Sequence, residues 1–363
     1  MFSHLKKLDW GLNGIVMLLV GIGFLAIYSI SLSKGNFFDL KKQIIFAIIS
    51  FILMIVVSFF DWKALKDSSF ILVLYFTGIL LLIGLLFFAP TIRGTKGWYK
   101  IGGISINPVD FVNLILIILL SKYFSKRHIE IYHIKHIFIS AVYIAIPAAL
   151  IFLQPDMGPV LIILSLWVGV LIISGIKIRH FLFLILVGIL IASLGWMFLL
   201  KPYQKERIVN FVIPESDPLE GSWNQSQAKI AIGSGGFLGK GIGKGSQVQH
   251  GFLPEVKTDF IFSALAEETG FVGIFFIFLL FSGLLWKIIS IALRAESNFP
   301  RLFAVGFGIL IFSQIFIHIC VNIGILPVIG LPLPFISYGG SNLVSFFLGL
   351  GNLQSIKVRQ YSP

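Results

Sequence analysis

The chain has 363 residues, 57% of them hydrophobic and only 12% charged, with a mean hydropathy of +0.97. A soluble domain carries about a quarter charged residues, so this composition excludes a soluble fold and defines a polytopic membrane protein. The formal charge is +12, but the 28 Lys and Arg residues are scattered between apolar runs, which excludes nucleic acid as a partner and favours anionic membrane lipids. Cys320 is the single cysteine and lies in an apolar run, so no disulfide or cysteine zinc site is available.

The N-terminal stretch Met1–Trp10 has no small-residue cleavage site after the first apolar run, so that run is expected to remain as the first helix. A span needs about 17 to 25 residues. Segments of that kind lie at 12–32, 44–60, 70–89, 109–124, 137–153, 158–174, 178–200, 260–289, 302–326 and 341–356. The expectation is an all-α bundle of about ten transmembrane helices forming one domain, 1–363. Ten helices put both termini on one side. Lys6, Lys7, Lys63, Lys66, Lys122, Lys126 and Arg127 fall on that side with many of the remaining cations, while the short opposite loops hold few. The bias predicts cytoplasmic termini. The long loop 201–258, between the seventh and eighth spans, then faces outside.

Two other outer segments break the helical pattern. Thr91–Asp110 is rich in glycine and flanked by aromatics, and Pro327–Ser341 holds three prolines. Irregular backbone at membrane depth needs cover from protein or a water-filled cavity. Both segments are expected to roof one cavity together with the loop before residue 260.

That loop carries the strongest signal. It reads Gln225-Ser-Gln-Ala-Lys-Ile-Ala-Ile-Gly-Ser-Gly-Gly-Phe-Leu-Gly and continues to Pro254-Glu-Val-Lys-Thr-Asp259, followed by Glu267 and Glu268. Ionisable groups at membrane depth are costly and mark functional sites. Asp259, at the mouth of the eighth span, is therefore the first candidate, against the plainer reading of a charge that complements a helix dipole. Glu267 and Glu268 lie about 12 Å deeper along a helix and off its face, which suits an internal polar network. The glycine run matches neither a phosphate loop nor a dinucleotide fingerprint. Its backbone N–H groups, with Lys229, Lys240 and Lys244, remain candidates to embrace a diphosphate, or else a solvated loop. Asp156, in the turn Gln154-Pro-Asp-Met-Gly158, reads as a helix cap. His318 and Gln314 read as interhelical hydrogen-bonding groups. No His, Asp or Glu spacing makes a zinc or di-metal site.

The whole chain resembles the SEDS family (shape, elongation, division and sporulation), and within it the elongation branch, whose tail after the last helix is also short. The resemblance rests on Leu8-Asp9-Trp10, Ile27-Tyr28-Ser29, Gln154–Gly158, the run 225–273 and Pro327–Ser341 with its Ser337-Tyr-Gly-Gly-Ser341 ending. It implies a peptidoglycan glycosyltransferase of the bacterial inner membrane. Such an enzyme polymerises lipid II, the undecaprenyl-diphosphate-linked disaccharide-pentapeptide, beside a class B penicillin-binding transpeptidase. Asp259 then takes the general-base role, and Lys96, Asp110, Gln227, Lys229, Glu255 and Ser337 are expected at the substrate. A divalent cation, Mg2+ or Mn2+, is the one cofactor that the diphosphate chemistry admits. The chain departs from the family at Asn107-Pro-Val-Asp110, where Gln-Pro-Ser-Glu is usual. It also departs at Asn113 in place of a Lys, at Gly97 in place of an Arg beside Lys96, and at Lys257 in place of a His. A lipid-carrier flippase and a non-catalytic cell-wall scaffold are the rival readings.

Overall fold

The computed structural model describes residues 2–67, 69–92, 94–126, 134–200, 204–205, 209, 211 and 223–360. In chain order its helices are α1 (Phe2–Lys7), α2 (Trp10–Lys34), α3 (Phe38–Phe59), α4 (Trp62–Asp67), α5 (Phe70–Phe88), α6 (Pro108–Ser125) and α7 (Ile134–Leu153). Then follow α8 (Met157–Ile173), α9 (Ile178–Leu194) with a π-helical turn (Gly195–Leu199), α10 (Trp223–Gly235), α11 (Ser246–Gln249), α12 (Ile261–Leu293), α13 (Asn298–Ile323) and α14 (Gly340–Arg359). Eight of the described helices are long and apolar enough to cross a membrane: α2, α3, α5, α6, α7, α9 with its π turn, α12 and α13. The 17-residue α8 and the more polar, well-buried α14 bring the bundle to the ten segments expected.

Helices dominate because a chain in hydrocarbon must satisfy its own backbone hydrogen bonds. Which helices are central was decided by tertiary packing. Two-thirds of the apolar windows of α6 and α13 are buried, whereas α9 buries none of its residues. Around α13 the core is aromatic: Phe303 stacks on Phe307, and Phe335 and Phe346 meet with ring centroids 5.2 Å apart. One departure from an all-helical reading lies in the segment 91–110. Tyr99–Ile101 (β1) and Ile104–Ile106 (β2) pair antiparallel there around Gly102-Gly103, whose positive φ values suit a tight two-residue turn. The loop 201–258 also departs from a plain loop, since α10 and α11 lie inside it; its residues 201–203, 206–208, 210 and 212–222 fall outside the described residues.

Asp9 ties three helices together at one end of the bundle. Its carboxylate caps α2 by accepting from the Leu12 N–H (3.0 Å) and pairs with Lys287 of α12 (3.2 Å) and Lys357 of α14 (3.5 Å). Its backbone N–H donates to Gln354 Oε1 of α14 (2.9 Å). Burial opposes the Asp9 charge, but the Leu12 N–H and the two lysines outweigh it and hold the pKa below the ordinary 3.8. The charged form is thus favoured in the folded state. Its contribution is complete above about pH 4 and is lost as pH falls through the lowered value. Asp9→Asn keeps the cap and loses the charge, whereas Asp9→Ala loses both. Thermal unfolding in detergent at neutral pH is expected to show Asp9→Ala as the less stable variant by about 0.5–2 kcal/mol, the worth of a cap.

Candidate functional site

Asp259 stands on a turn built by Pro254-Glu-Val-Lys-Thr. Glu255 adopts a left-handed φ of +44°, and its carbonyl accepts from the N–H groups of Thr258 and Asp259, both at 3.0 Å. Three neighbouring residues then hold the turn. Asn322 of α13 donates to the Asp259 carbonyl (2.9 Å), Ser337 donates to the Thr258 carbonyl (2.8 Å), and the Tyr338 N–H donates to the Lys257 carbonyl (2.9 Å). Lys257 adds an ion pair to Asp39 in the first turn of α3 (2.6 Å). That same Asp39 charge, after burial itself, pushes the Tyr338 phenol above its usual pKa.

Each anchor is itself anchored. Asn322 Oδ1 accepts from Ser263 Oγ of α12 (2.6 Å), and Ser337 Oγ accepts from the Leu333 N–H (2.8 Å). The buried Gln43 of α3 donates to the Ser337 carbonyl and accepts from the Gly339 N–H, both at 3.2 Å. The Asp259 backbone is therefore fixed from α12, α13 and the segment 327–341, while its side chain stays half-buried, with Oδ2 beside Gly330. This puts a partly exposed carboxylate on a well-anchored turn at a helix N-terminus.

The outer segments do converge here. Lys96 N–H donates to the Gln154 carbonyl (3.2 Å), and the Asp156 carboxylate lies against Gly97. Gly158 packs on Ile329 and Leu331, which flank the Gly330 that Asp259 touches. Asp156 occupies the N-cap position of α8, yet its side chain makes no capping bond, so the cap reading is corrected. His318 behaves as expected of a hydrogen-bonding group, with Nδ1 2.7 Å from the Leu331 carbonyl.

The glycine run does something other than cradle a diphosphate. Glu267, fully buried, accepts from Lys240 Nζ (2.8 Å), Ser246 Oγ (3.1 Å), the Gln247 N–H (3.0 Å) and the Val248 N–H (3.2 Å). Glu268 accepts from Ser29 Oγ and from the Gly243 N–H (3.2 Å). Within the run, the Gly243 N–H thus serves Glu268, the N–H groups of Gly239, Lys240 and Gly241 serve backbone carbonyls, and the Lys240 ammonium serves Glu267. Glycine is required because the run lies directly on α12. A Cβ on Gly239 would stand 2.2 Å from the Glu268 carbonyl, and one on Gly270 2.2 Å from the Gly239 nitrogen. Gly270 itself breaks α12 with φ +64° and ψ −164°, a conformation open to glycine. Lys244 is exposed at the edge of this loop.

The remaining expected residues are spread around the turn. Asp110, in the first turn of α6, accepts from Asn342 Nδ2 of α14 (3.0 Å), and its carbonyl accepts from Ser345 Oγ (2.6 Å). The cationic partner sought for it in Lys96 or Lys229 is replaced by this amide. Lys96 sends its ammonium to the Leu86 carbonyl at the end of α5 (2.9 Å), where it satisfies a helix terminus. Lys229 is exposed on α10 and lies along Gly324, two residues beyond Asn322. Gln227 is buried on the same helix, whose Gln225 donates to the carbonyls of Val321 (2.9 Å) and Leu326 (2.7 Å). Ser337 is occupied on both sides by the fold, so its place is in holding the turn. Asn113, one turn after Asp110, is buried with its side-chain oxygen unpartnered among the described residues.

Comparison with known proteins shows the family. The profile of the family described as "Cell cycle protein" (FtsW/RodA/SpoVE) matches residues 10–362. The chain belongs to the FtsW/RodA/SpoVE family. It is 35% identical to the stage V sporulation protein E of Bacillus subtilis, over 96% of each chain. It is 38% identical to the peptidoglycan glycosyltransferase MrdB of Escherichia coli, over 78% of this chain and 76% of that one. Its fold superposes with a TM-score of 0.83, at 28% identity and over 98% and 99% of the two chains, on a structure described as "Structural coordination of polymerization and crosslinking by a peptidoglycan synthase complex". The SEDS resemblance read from the motifs is this same family.

Sequence reasoning missed Asn322, Gln43, Asn342 and Ser263, because a lone amide or hydroxyl in an apolar helix carries no motif. Asn322 is the one whose loss reaches furthest, since it joins Asp259, Ser263 and His318. Asn322→Leu leaves buried donors and acceptors unpaired at about 1–3 kcal/mol each. The expected result is a thermal midpoint in detergent clearly below wild type.

Proposed function

We propose that this protein polymerises lipid II into glycan strands, with Asp259 as the general base of an inverting transfer. It is a multi-pass membrane glycosyltransferase of peptidoglycan, as its relatives' names and its whole-chain fold support. The observation that carries the base assignment is the Asp259 turn, pinned at three consecutive carbonyls while its carboxylate stays half-exposed.

The chemistry follows from that placement. A sugar 4-hydroxyl attacks the donor's anomeric carbon from the face opposite the leaving diphosphate. As the new C–O bond forms and the C–O bond to the diphosphate breaks, Asp259 takes the hydroxyl proton. The diphosphate leaves as a stable anion and needs charge compensation rather than a proton. Lys229, exposed on α10 beside the Asp259 anchor Asn322, is the described cation best placed for that task. Glu255 and Gln227 flank the same region, Ser337 holds it, and Asp110 with the adjacent Asn113 offers a second polar patch where the family motif is altered. Asp110 supplies one carboxylate with a second oxygen beyond the one held by Asn342. Mg2+ bound chiefly by diphosphate oxygens needs one or two such carboxylates. A divalent cation held there would neutralise the leaving group, and no step above passes through it.

The same reading places the protein in the bacterial inner membrane, with both termini in the cytoplasm and Asp259 outside. A class B penicillin-binding transpeptidase is the fitting partner, since the matching solved chain comes from a synthase that couples polymerisation to crosslinking.

With purified protein and lipid II, Asp259→Asn is expected to slow glycan synthesis by about 10²–10⁴-fold while leaving membrane insertion and thermal stability near wild type. Normal synthesis by that variant would sink the assignment and favour the flippase reading. Asp110→Asn in the same assay separates substrate contact from helix capping. A large rate loss in a folded protein supports contact, and normal turnover with slightly lower stability supports the cap.

Orientation has its own test. Ser125→Cys, at the end of α6 away from Asp110, should resist labelling by a membrane-impermeant thiol reagent in intact cells and react after permeabilisation. Labelling of intact cells would reverse the topology.

A further inference from the structure

A second polar feature lies at the other end of the bundle and takes no part in the chemistry above. Asp259 precedes α12, and Lys287 and Arg294 stand at its far end. At 1.5 Å per residue the 33 residues of α12 measure about 50 Å before the Gly270 break is allowed for. The two features therefore sit at opposite membrane faces. At this far end a cavity of about 150 Å³ is lined by Asp9, Trp286, Lys287, Ser290, Arg294 and Lys357.

Asp9 is the organiser. One of its oxygens holds Lys287 Nζ at 3.2 Å and the other holds Lys357 Nζ at 3.5 Å, so two ammonium groups from different helices are brought to one cavity wall. Asp9 is itself fixed by the Leu12 N–H and by Gln354. The cavity walls then carry three cations against one carboxylate, an excess suited to an anion.

The neighbourhood shows what kind of anion. Trp286, Ile289 and Leu293 follow one another at spacings of three and four, so they share a face of α12 next to the cavity. They are 69%, 47% and 76% exposed, which for a membrane span is a lipid-facing stripe. A tryptophan near the end of such a stripe marks headgroup depth. The cavity thus stands where lipid phosphates lie, beside a surface that accepts acyl chains.

We infer that this cavity is a binding site for the phosphodiester headgroup of an anionic phospholipid, held by Lys287, Lys357 and Arg294, with its acyl chains along Trp286, Ile289 and Leu293. The site is independent of the glycan chemistry, so its test does not depend on the activity assigned to Asp259.

Native mass spectrometry of the purified full-length protein reads it directly. Phosphatidylglycerol and phosphatidylcholine of identical chains are offered in equal amounts. Wild type is expected to retain phosphatidylglycerol preferentially, and each cation removed should weaken retention about fivefold. Arg294→Gln, at an exposed position, tests the site with little risk to folding. Lys357→Gln should lose retention, Lys357→Arg should restore it, and Lys63→Gln, on the exposed surface of α4, should leave it unchanged. Equal retention of the two lipids by wild type would overturn the proposal. So would unchanged phosphatidylglycerol retention in both Arg294→Gln and Lys357→Gln, or displacement of the lipid by millimolar inorganic phosphate.

Discussion

A carboxylate buried in a helical bundle has to be given its hydrogen-bond donors by the protein, and two adjacent ones have to be given twice as many. Glu267 and Glu268 impose that constraint on this fold. The turn from α10 to α11 lies on α12 because its N–H groups and Lys240 are the donors, and the glycines at 239 and 270 permit the backbones to touch. The break at Gly270 follows from the same contact. It separates a short polar helix behind Asp259 from the apolar helix that spans the membrane.

Against that rigid support, Asp259 is held in a different way from its neighbours. The protein binds the backbone of the Asp259 turn and leaves the side chain half-exposed, whereas at Glu267 the donors converge on the carboxylate itself. The base role proposed for Asp259 rests on that contrast. Asp110 stands between these cases, with an amide donor on one oxygen, and one turn away lies Asn113, buried with its side-chain oxygen unpartnered among the described residues.

The two ends of the bundle also divide the electrostatic work. At the Asp259 end, Lys257 pairs with Asp39 and the Lys96 ammonium donates to the Leu86 carbonyl. At the Asp9 end, one carboxylate gathers lysines from α12 and α14 around the start of α2, which locks three helices at the membrane surface. The Leu8-Asp9-Trp10 motif, remote from any chemistry, has its physical reason in that junction.

Much of this was legible in the chain. Apolar runs of bilayer length gave the ten helices, because hydrocarbon thickness fixes how many residues a span needs. The run 225–273 singled out Asp259, and the spacing of Glu267 and Glu268 set them apart from it. Other features stayed hidden. The glycine run read equally well as an anion cradle, since sequence shows donors but not which acceptor reaches them first. Lys96 and Asp110 are close enough in sequence to suggest a pair, yet each found a nearer partner on another helix, Leu86 and Asn342. Asn322, Gln43 and Ser263 carried no signal, because a single amide or hydroxyl acquires meaning only from the backbone opposite it. Hydrophobicity and motif spacing, which are local, determined the membrane class, the family and the candidate base. Hydrogen-bond pairing between distant helices, which depends on how they pack, decided which polar groups hold the structure and which remain exposed for chemistry.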